Sequence, residues 1–131
     1  MIELPVKTHT KTEIVDITKE VQEIVDKSKI KNGLCCLYIP HTTAGIIINE
    51  NADPTVKEDI INMLNKLVPF TANYQHTEGN AFAHIKSSIV GNSKIIFIEN
   101  GEIKLGTWQG IFFCEFDGPR SRYVWIKIIP A

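Results

Sequence analysis

The sequence predicts a single-domain α+β fold in which a large, mostly antiparallel β-sheet carries two main helices packed on it. Three observations carry this expectation. Short β-branched apolar runs recur along the chain, among them "LCCLYIP", "AGIIINE", "IFFCEF" and "RYVWIKIIP". Two longer segments instead place their apolar residues at helical spacing. The order is strands, helix, strands, helix and a closing antiparallel set, which is the α+β pattern. With 131 residues, the chain has the length of one domain, spanning 1–131. Folding buries about two-thirds of the surface that such a chain exposes when unfolded.

Each element has a local reason. "ELPVKTHT" and "TEIVDI" read as a first pair of strands on either side of "HTKT". Thr18 is positioned to cap a helix over "KEVQEIVDKSK", with Ile17, Val21, Ile24 and Val25 on one face. "KNG" at 31–33 ends it, with Gly33 expected in the left-handed conformation. "LCCLYIP" and "AGIIINE" follow as strands nearly buried on both faces, with "HTT" between them. In "DPTVKEDIINMLNKLVP", Asp53 is the expected N-cap and Pro54 the first helical residue. Val56, Ile60, Met63, Leu64 and Leu67 form its apolar stripe, and Pro69 stops it. The polar "FTANYQHTEGN" leads into "AFAHIKSSIVG", which reads either as one or two helical turns or as extended chain. "KIIFIENGEIKLG" is a hairpin around Asn100-Gly101, the favoured pair for a type I′ turn. "IFFCEF" and "RYVWIKIIP" are closing strands separated by "DGPR".

Composition narrows the function classes. Apolar residues make up 44% and charged residues 22% of the chain, which is ordinary for a globular protein. A net charge of −1 and a pI of ≈ 6.4, with no basic run, argue against nucleic acid as a partner. No apolar stretch is long enough for a membrane span, and "MIELPVKTHTKTE" is too polar for a secretory signal. Cys35 and Cys36 are adjacent in a strand and point to opposite faces, so with Cys114 they read as small buried groups in a reducing compartment. The expected location is cytoplasmic.

The functional signal lies where polar residues interrupt the core pattern. In "PHTTAGIIINENADP", His41, Thr42 and Thr43 separate two strands, and Asn49, Glu50 and Asn51 precede a helix N-terminus. In "HTEGNAFAHIKSS", Asn80 and His84 project together whether the segment is helical or extended. An extended segment would add Lys86 to that face. His41, His76 and His84 are three imidazoles able to bind zinc or another divalent ion and leave a position open. His9 reads as an ordinary hydrogen-bonded loop or core residue. In "LGTWQGIFFCEFDGPRSR", Gly106 and Gly110 bracket Trp108 and Gln109, the pattern of a bulge that aims side chains. Arg120 offers a planar fork to a phosphate or carboxylate. Asp117–Arg120 and Glu115–Arg122 can equally be surface ion pairs of small energetic weight.

These motifs, in this order and over essentially the whole chain, resemble the YjbQ family of small proteins, often described as secondary thiamine-phosphate synthases. Phe82 is one departure, since relatives more often carry a small or polar residue there. The resemblance implies an α+β fold, assembly as a homotrimer, and a pocket near subunit contacts. It places His41, Thr42, Thr43, Asn49 and Glu50 in that pocket. Asn80, His84, Lys86, Gln109, Asp117 and Arg120 join them, and His76 matches a recurrent family histidine. A bound metal, zinc or magnesium, fits the family's histidines.

Three functions follow as expectations. In the first, the chain is an enzyme of phosphorylated metabolites, with thiamine-phosphate synthesis as a side activity. His41 and His84 then move protons, and Arg120 and Lys86 hold phosphates. Thr42, Thr43, Asn49, Glu50, Asn80, Trp108, Gln109 and Asp117 bind substrate. In the second, a metal at His41, His76 and His84 activates water for hydrolysis. In the third, a trimeric pocket binds a small anion or metabolite without turnover.

Overall fold

A computed structural model describes residues 1–131 as eight strands and three helices. The strands are β1 (Ile2–Lys7), β2 (Glu13–Asp16), β3 (Gly33–Tyr38), β4 (Ala44–Glu50), β5 (Ser93–Glu99), β6 (Glu102–Ile103), β7 (Gln109–Glu115) and β8 (Ser121–Pro130). The helices are α1 (Thr18–Ser28), α2 (Pro54–Leu67) and α3 (Ala81–Val90). No helix is long and apolar enough to cross a membrane.

All pairings are antiparallel, as expected, but the strands form two sheets. One has the order β1-β8-β3-β5-β6 and the other β2-β7-β4. The first two strands are therefore not partners. β1 pairs with β8 and β2 with β7, so the residues 8–12 carry the chain from one sheet to the other.

The main core lies between the sheets. Val6, Cys35, Leu37, Ile96, Ile98, Val124 and Ile126 of the larger sheet meet Ile46, Ile111 and Phe113 of the smaller, with Val21 and Val25 of α1. A second cluster covers the other face of the smaller sheet. There Cys114 and Phe116 meet Val68, Phe82 and Ala83, with Leu64 of α2 packed alongside. β7 is thus buried on both faces, which explains why "IFFCE" carries almost no alternation. The outer face of the larger sheet has no such cover. Ile95 (67% exposed), Phe97 (63%), Tyr38, Tyr123 and Ile129 stand open on it.

Local chemistry sets the element ends. Asp53 caps α2 by accepting from the Thr55 N–H at 2.9 Å, with Pro54 in the first turn. The α1 start differs from expectation: the Asp16 carboxylate accepts from both the N–H and the hydroxyl of Thr18. Its end differs too, because Lys29 takes the left-handed conformation (φ 63°). Gly33 instead lies inside β3, where a Cβ would meet the Ile129 carbonyl oxygen at 2.1 Å. At the β5–β6 hairpin, Asn100 and Gly101 both have positive φ, as a type I′ turn requires. The α2 stripe is only partly covered, and Met63 and Leu67 remain exposed.

The segment 81–90 is a helix, and this moves Lys86 away from the expected phosphate site. In a helix, residues two apart point in nearly opposite directions. Lys86 is fully buried. Its Nζ lies 4.6 Å from the Phe70 ring centroid, 5.2 Å from Phe82 and 6.0 Å from Phe116. Its hydrogen-bond acceptor is Asn65 Oδ1 at 2.5 Å. Burial lowers its pKa, while the aromatic faces favour the cation. Lys86 therefore fastens α3 to α2 and to the chain after Pro69. Phe82, the departure from the family pattern, is one wall of this cage. Lys86→Ala should cost about 2–5 kcal/mol by leaving an aromatic-lined void. Lys86→Met keeps the volume without the charge and should cost less than about 2 kcal/mol in urea unfolding.

Candidate functional site

One end of the two sheets gathers most of the polar residues singled out in the sequence. The register pairs Ala44 and Glu13 with Glu115, and Lys7 with Ser121. The three connections 8–12, 39–43 and 116–120 therefore meet there.

At their centre is a buried ion pair. Glu115 and Arg122 have side chains only 0% and 6% exposed. Arg122 Nε donates to Glu115 Oε1 at 2.9 Å and its Nη2 donates to Oε2 at 2.5 Å. Glu115 also accepts from the Thr8 hydroxyl (2.8 Å) and the Asp117 N–H (3.0 Å). Burial alone raises the Glu115 pKa, but the Arg122, Asp117 and Thr8 hydrogen bonds outweigh it and the net shift is downward. Arg122 Nη2 reaches on to Thr43, at 2.8 Å from Oγ1 and 3.4 Å from the carbonyl oxygen. This pair is a core device, not the surface contact that the sequence allowed.

Asp117 anchors a second group beside it. Its Oδ2 accepts from Asn80 Nδ2 and Arg120 Nη2, each at 3.0 Å. Arg120 Nε donates to the Asp117 carbonyl oxygen at 2.8 Å, and Lys11 lies 3.5 Å from Oδ1. Burial raises the Asp117 pKa, yet the Asn80 and Arg120 hydrogen bonds and the charges of Arg120 and Lys11 bring it below its usual value. The Arg120 side chain is still half exposed.

The histidines stand at a cleft next to this network. A cavity of ≈ 370 Å³ is lined by His41, Thr42, His84, Ser87, Ser88, Gly91 and Asn92, with no apolar side chain and no carboxylate. Ser87 donates to the Ala44 carbonyl oxygen (2.6 Å) and clamps α3 onto β4. His41 Nε2 accepts the Tyr123 N–H at 2.9 Å. A neutral ring so engaged carries its proton on Nδ1. Burial lowers the His41 pKa first and the Arg122 charge second, with Glu115 opposing.

His84 also borders a second hollow, of ≈ 380 Å³, with His76, Tyr74 and Ile85 among its walls. The His76 and His84 rings meet edge to face at 5.2 Å. The three imidazoles do not form a ligand set within one chain, and no group of three His, Cys, Asp or Glu side chains is placed to hold a metal ion. The donor chemistry agrees, since the Nε2 lone pair of His41 is already engaged. Within a single chain these residues do not fit a three-histidine metal centre.

The remaining expected residues lie elsewhere. Asn49 and Glu50 pair with Gly110 and Gln109, at the other end of the β4–β7 ladder, about 20 Å from Glu115 at 3.4 Å per residue. There Gln109 Oε1 accepts from the Gly106 N–H (2.8 Å), the Trp108 carbonyl oxygen accepts from the Asn51 N–H (2.8 Å), and the Trp108 ring is exposed. So Asn49, Glu50, Trp108 and Gln109 do not join the His41 cleft within one chain. Another hollow, of ≈ 680 Å³ along α1, is lined by Asp16, Glu20, Glu23, Asp26 and Glu102 with Lys19. Its negative charge disfavours anions.

Sequence reasoning left Thr8, Glu115 and Arg122 out of the site. A signal existed: Arg122, Val124 and Ile126 share one face of β8 by period-two alternation, which puts a guanidinium in line with core side chains.

A profile of the UPF0047 protein YjbQ-like family matches residues 2–131. The chain belongs to the YjbQ (UPF0047) family. A UPF0047 protein of Methanocaldococcus jannaschii is 57% identical over 124 residues, covering 95% of this chain and 90% of that protein. The YjbQ relative YugU of Bacillus subtilis is 50% identical over 127 residues, 96% of each chain. A crystal structure of a YjbQ/UPF0047 protein from Clostridium acetobutylicum superposes with a TM-score of 0.96 at 53% identity, covering 98% of this chain and 100% of that one. A YbjQ-like protein from Sulfolobus solfataricus shares the fold at 34% identity, with a TM-score of 0.94 and coverage of 99% and 96%.

The pKa shifts carry a sign. A group whose pKa is lowered on folding contributes stability that is complete above its unfolded value and lost as the pH falls through the folded one. Unfolding midpoints in urea should therefore change little between about pH 7 and about pH 8. They should begin to fall below the ordinary histidine value of 6.5 through His41. A further fall should set in below the ordinary values of 4.5 and 3.8, as Glu115 and Asp117 protonate. His41→Gln should abolish the first decline and keep the second.

Proposed function

We propose that the chain is an enzyme of small phosphorylated metabolites, with the cleft between His41 and His84 as its active site, and that it works as a homotrimer. One observation carries this reading. Two imidazoles from distant segments, with serine and threonine hydroxyls, line a small cleft that has no carboxylate and no apolar wall. Its volume lies within the range of small-molecule sites, about 300–1,000 Å³, and hydroxyl and imidazole groups suit phosphate oxygens.

The division of labour follows from the hydrogen bonds. His41, engaged at Nε2, offers its Nδ1–H as a donor to an anionic oxygen. The His84 side chain makes no hydrogen bond within the chain, so it is the group free to accept or deliver a proton. Arg120 and Lys11 supply positive charge at the same end of the sheets. In thiamine-phosphate synthesis, the thiazole-phosphate nitrogen bonds to the pyrimidine methylene carbon as the carbon–oxygen bond to diphosphate breaks. Donors held in place stabilise the charge that develops on the departing diphosphate.

The trimer reading draws on the apolar outer face of the larger sheet, where Tyr38, Ile95, Phe97, Tyr123 and Ile129 are exposed, since contiguous exposed apolar patches mark interaction sites. In an assembly, Asn49, Glu50, Trp108 and Gln109 of one copy become available to the His41 cleft of another. A zinc ion beside His76 and His84 would likewise need ligands from a neighbouring copy.

Two measurements test the reading. Purified protein with the pyrimidine diphosphate, thiazole phosphate and Mg²⁺ should release diphosphate, and His84→Ala should lower kcat by about 100-fold or more. Turnover unchanged in both His84→Ala and Arg120→Ala refutes these roles, and a phosphorylated ligand that stabilises the protein but is never converted favours binding alone. Sedimentation should give a trimer mass, with Phe97→Glu dissociating it, whereas a monomeric wild-type protein removes the assembly.

A further inference from the structure

The geometry points to Arg122, oriented by Glu115, as a positioning residue that fixes which nitrogen of His41 carries the proton and so makes His41 a standing donor in the cleft. This rests on the reading of the cleft as the active site, but its structural part stands on hydrogen bonds within the chain.

β3 ends at Tyr38, opposite Trp125 of β8. Two residues earlier in β8, Tyr123 therefore presents an N–H toward an edge where the neighbouring strand has stopped. His41 Nε2 supplies the missing acceptor at 2.9 Å. Only the tautomer with a bare Nε2 can do so. The alternative tautomer, or the protonated ring, would set an N–H against an N–H and leave the Tyr123 donor without a partner.

This arrangement needs the 41–43 connection to stay in register with β8, and Arg122 provides that. The residue before Tyr123 in the chain, it reaches Thr43 with hydrogen bonds of 2.8 and 3.4 Å. One dipeptide, Arg122–Tyr123, thus grips the connection at both ends, by Thr43 and by the His41 ring. Glu115 holds the guanidinium through two hydrogen bonds, and Thr8 and Asp117 hold Glu115. Arg122, Glu115 and Thr43 are buried, so water does not readily substitute for a lost partner. The ionisable groups around the His41 ring are Arg122 and Glu115 behind it and His84 across the cleft.

Imidazole nitrogen NMR on the ¹⁵N-labelled full chain at neutral pH, without ligand, reads the tautomer directly. Wild-type His41 should show a protonated Nδ1 and a bare Nε2. The double variant Arg122→Met/Glu115→Leu, which leaves no unpaired buried charge, should lose the single-tautomer signal at His41 while His76 and His84 keep theirs. Thr43→Val removes one Arg122 contact and should shift His41 the same way by a smaller amount. A folded double variant that retains the wild-type signal overturns the proposal. If the double variant does not fold, an unchanged tautomer in Thr43→Val overturns it. A wild-type His41 protonated on Nε2 does so outright. The spectra involve no substrate, so an inactive but correctly tautomeric protein counts against the enzyme reading alone.

Discussion

Glu115 and Arg122 belong to different sheets, β7 to the smaller and β8 to the larger, so their ion pair is a polar stitch through the end of an otherwise apolar interface. A lone buried charge costs several kcal/mol, and attraction offsets this only when the remaining hydrogen-bonding capacity is filled. Here it is filled from three directions: Thr8 at the end of β1, the Asp117 backbone beyond β7, and Thr43 ahead of β4. The pair therefore sets where three connections come to rest. The cleft, with His41 on one of those connections, inherits its shape from that choice.

The same constraint separates the two histidines by role. His41 is tied through its ring to the backbone of β8, and His84 rides on α3, clamped to β4 by Ser87. One imidazole is committed and the other is free. A three-histidine metal centre would ask both to behave alike, and His76 meets the His84 ring and the Glu78 carboxylate rather than His41.

Much of the fold was legible because its signals are local. Asp53-Pro54 states a helix start and Asn100-Gly101 a hairpin, whatever surrounds them. Partners and faces were less legible. β1 and β2 read as neighbours, yet pairing follows which sheet each can complete. Gly33 looked like a helix stop but is needed where β3 approaches Ile129, and Lys29 takes the left-handed turn instead. The His41, Asn80, Asp117 and Arg120 motifs do converge on one end. Asn49, Glu50 and Gln109 lie one strand length away, because a strand carries motifs at its two ends apart even when they are close in sequence. Lys86 depended on the choice between helix and extended chain, and the helix turned it into the core. Glu115 and Arg122 read as a surface pair because charged pairs are more often on the surface.

The position of β8 has a consequence for how the chain reaches this state. It lies between β1 and β3, with Ile126 opposite Ile2, so the larger sheet joins segments from far ends of the sequence. Pairings of such long range form only after large loops close, and proteins built on them fold in milliseconds to seconds rather than microseconds. Until β8 docks, Arg122 has no carboxylate and Glu115 no guanidinium. The connection that carries His41 is thus fixed only once β8 is in place.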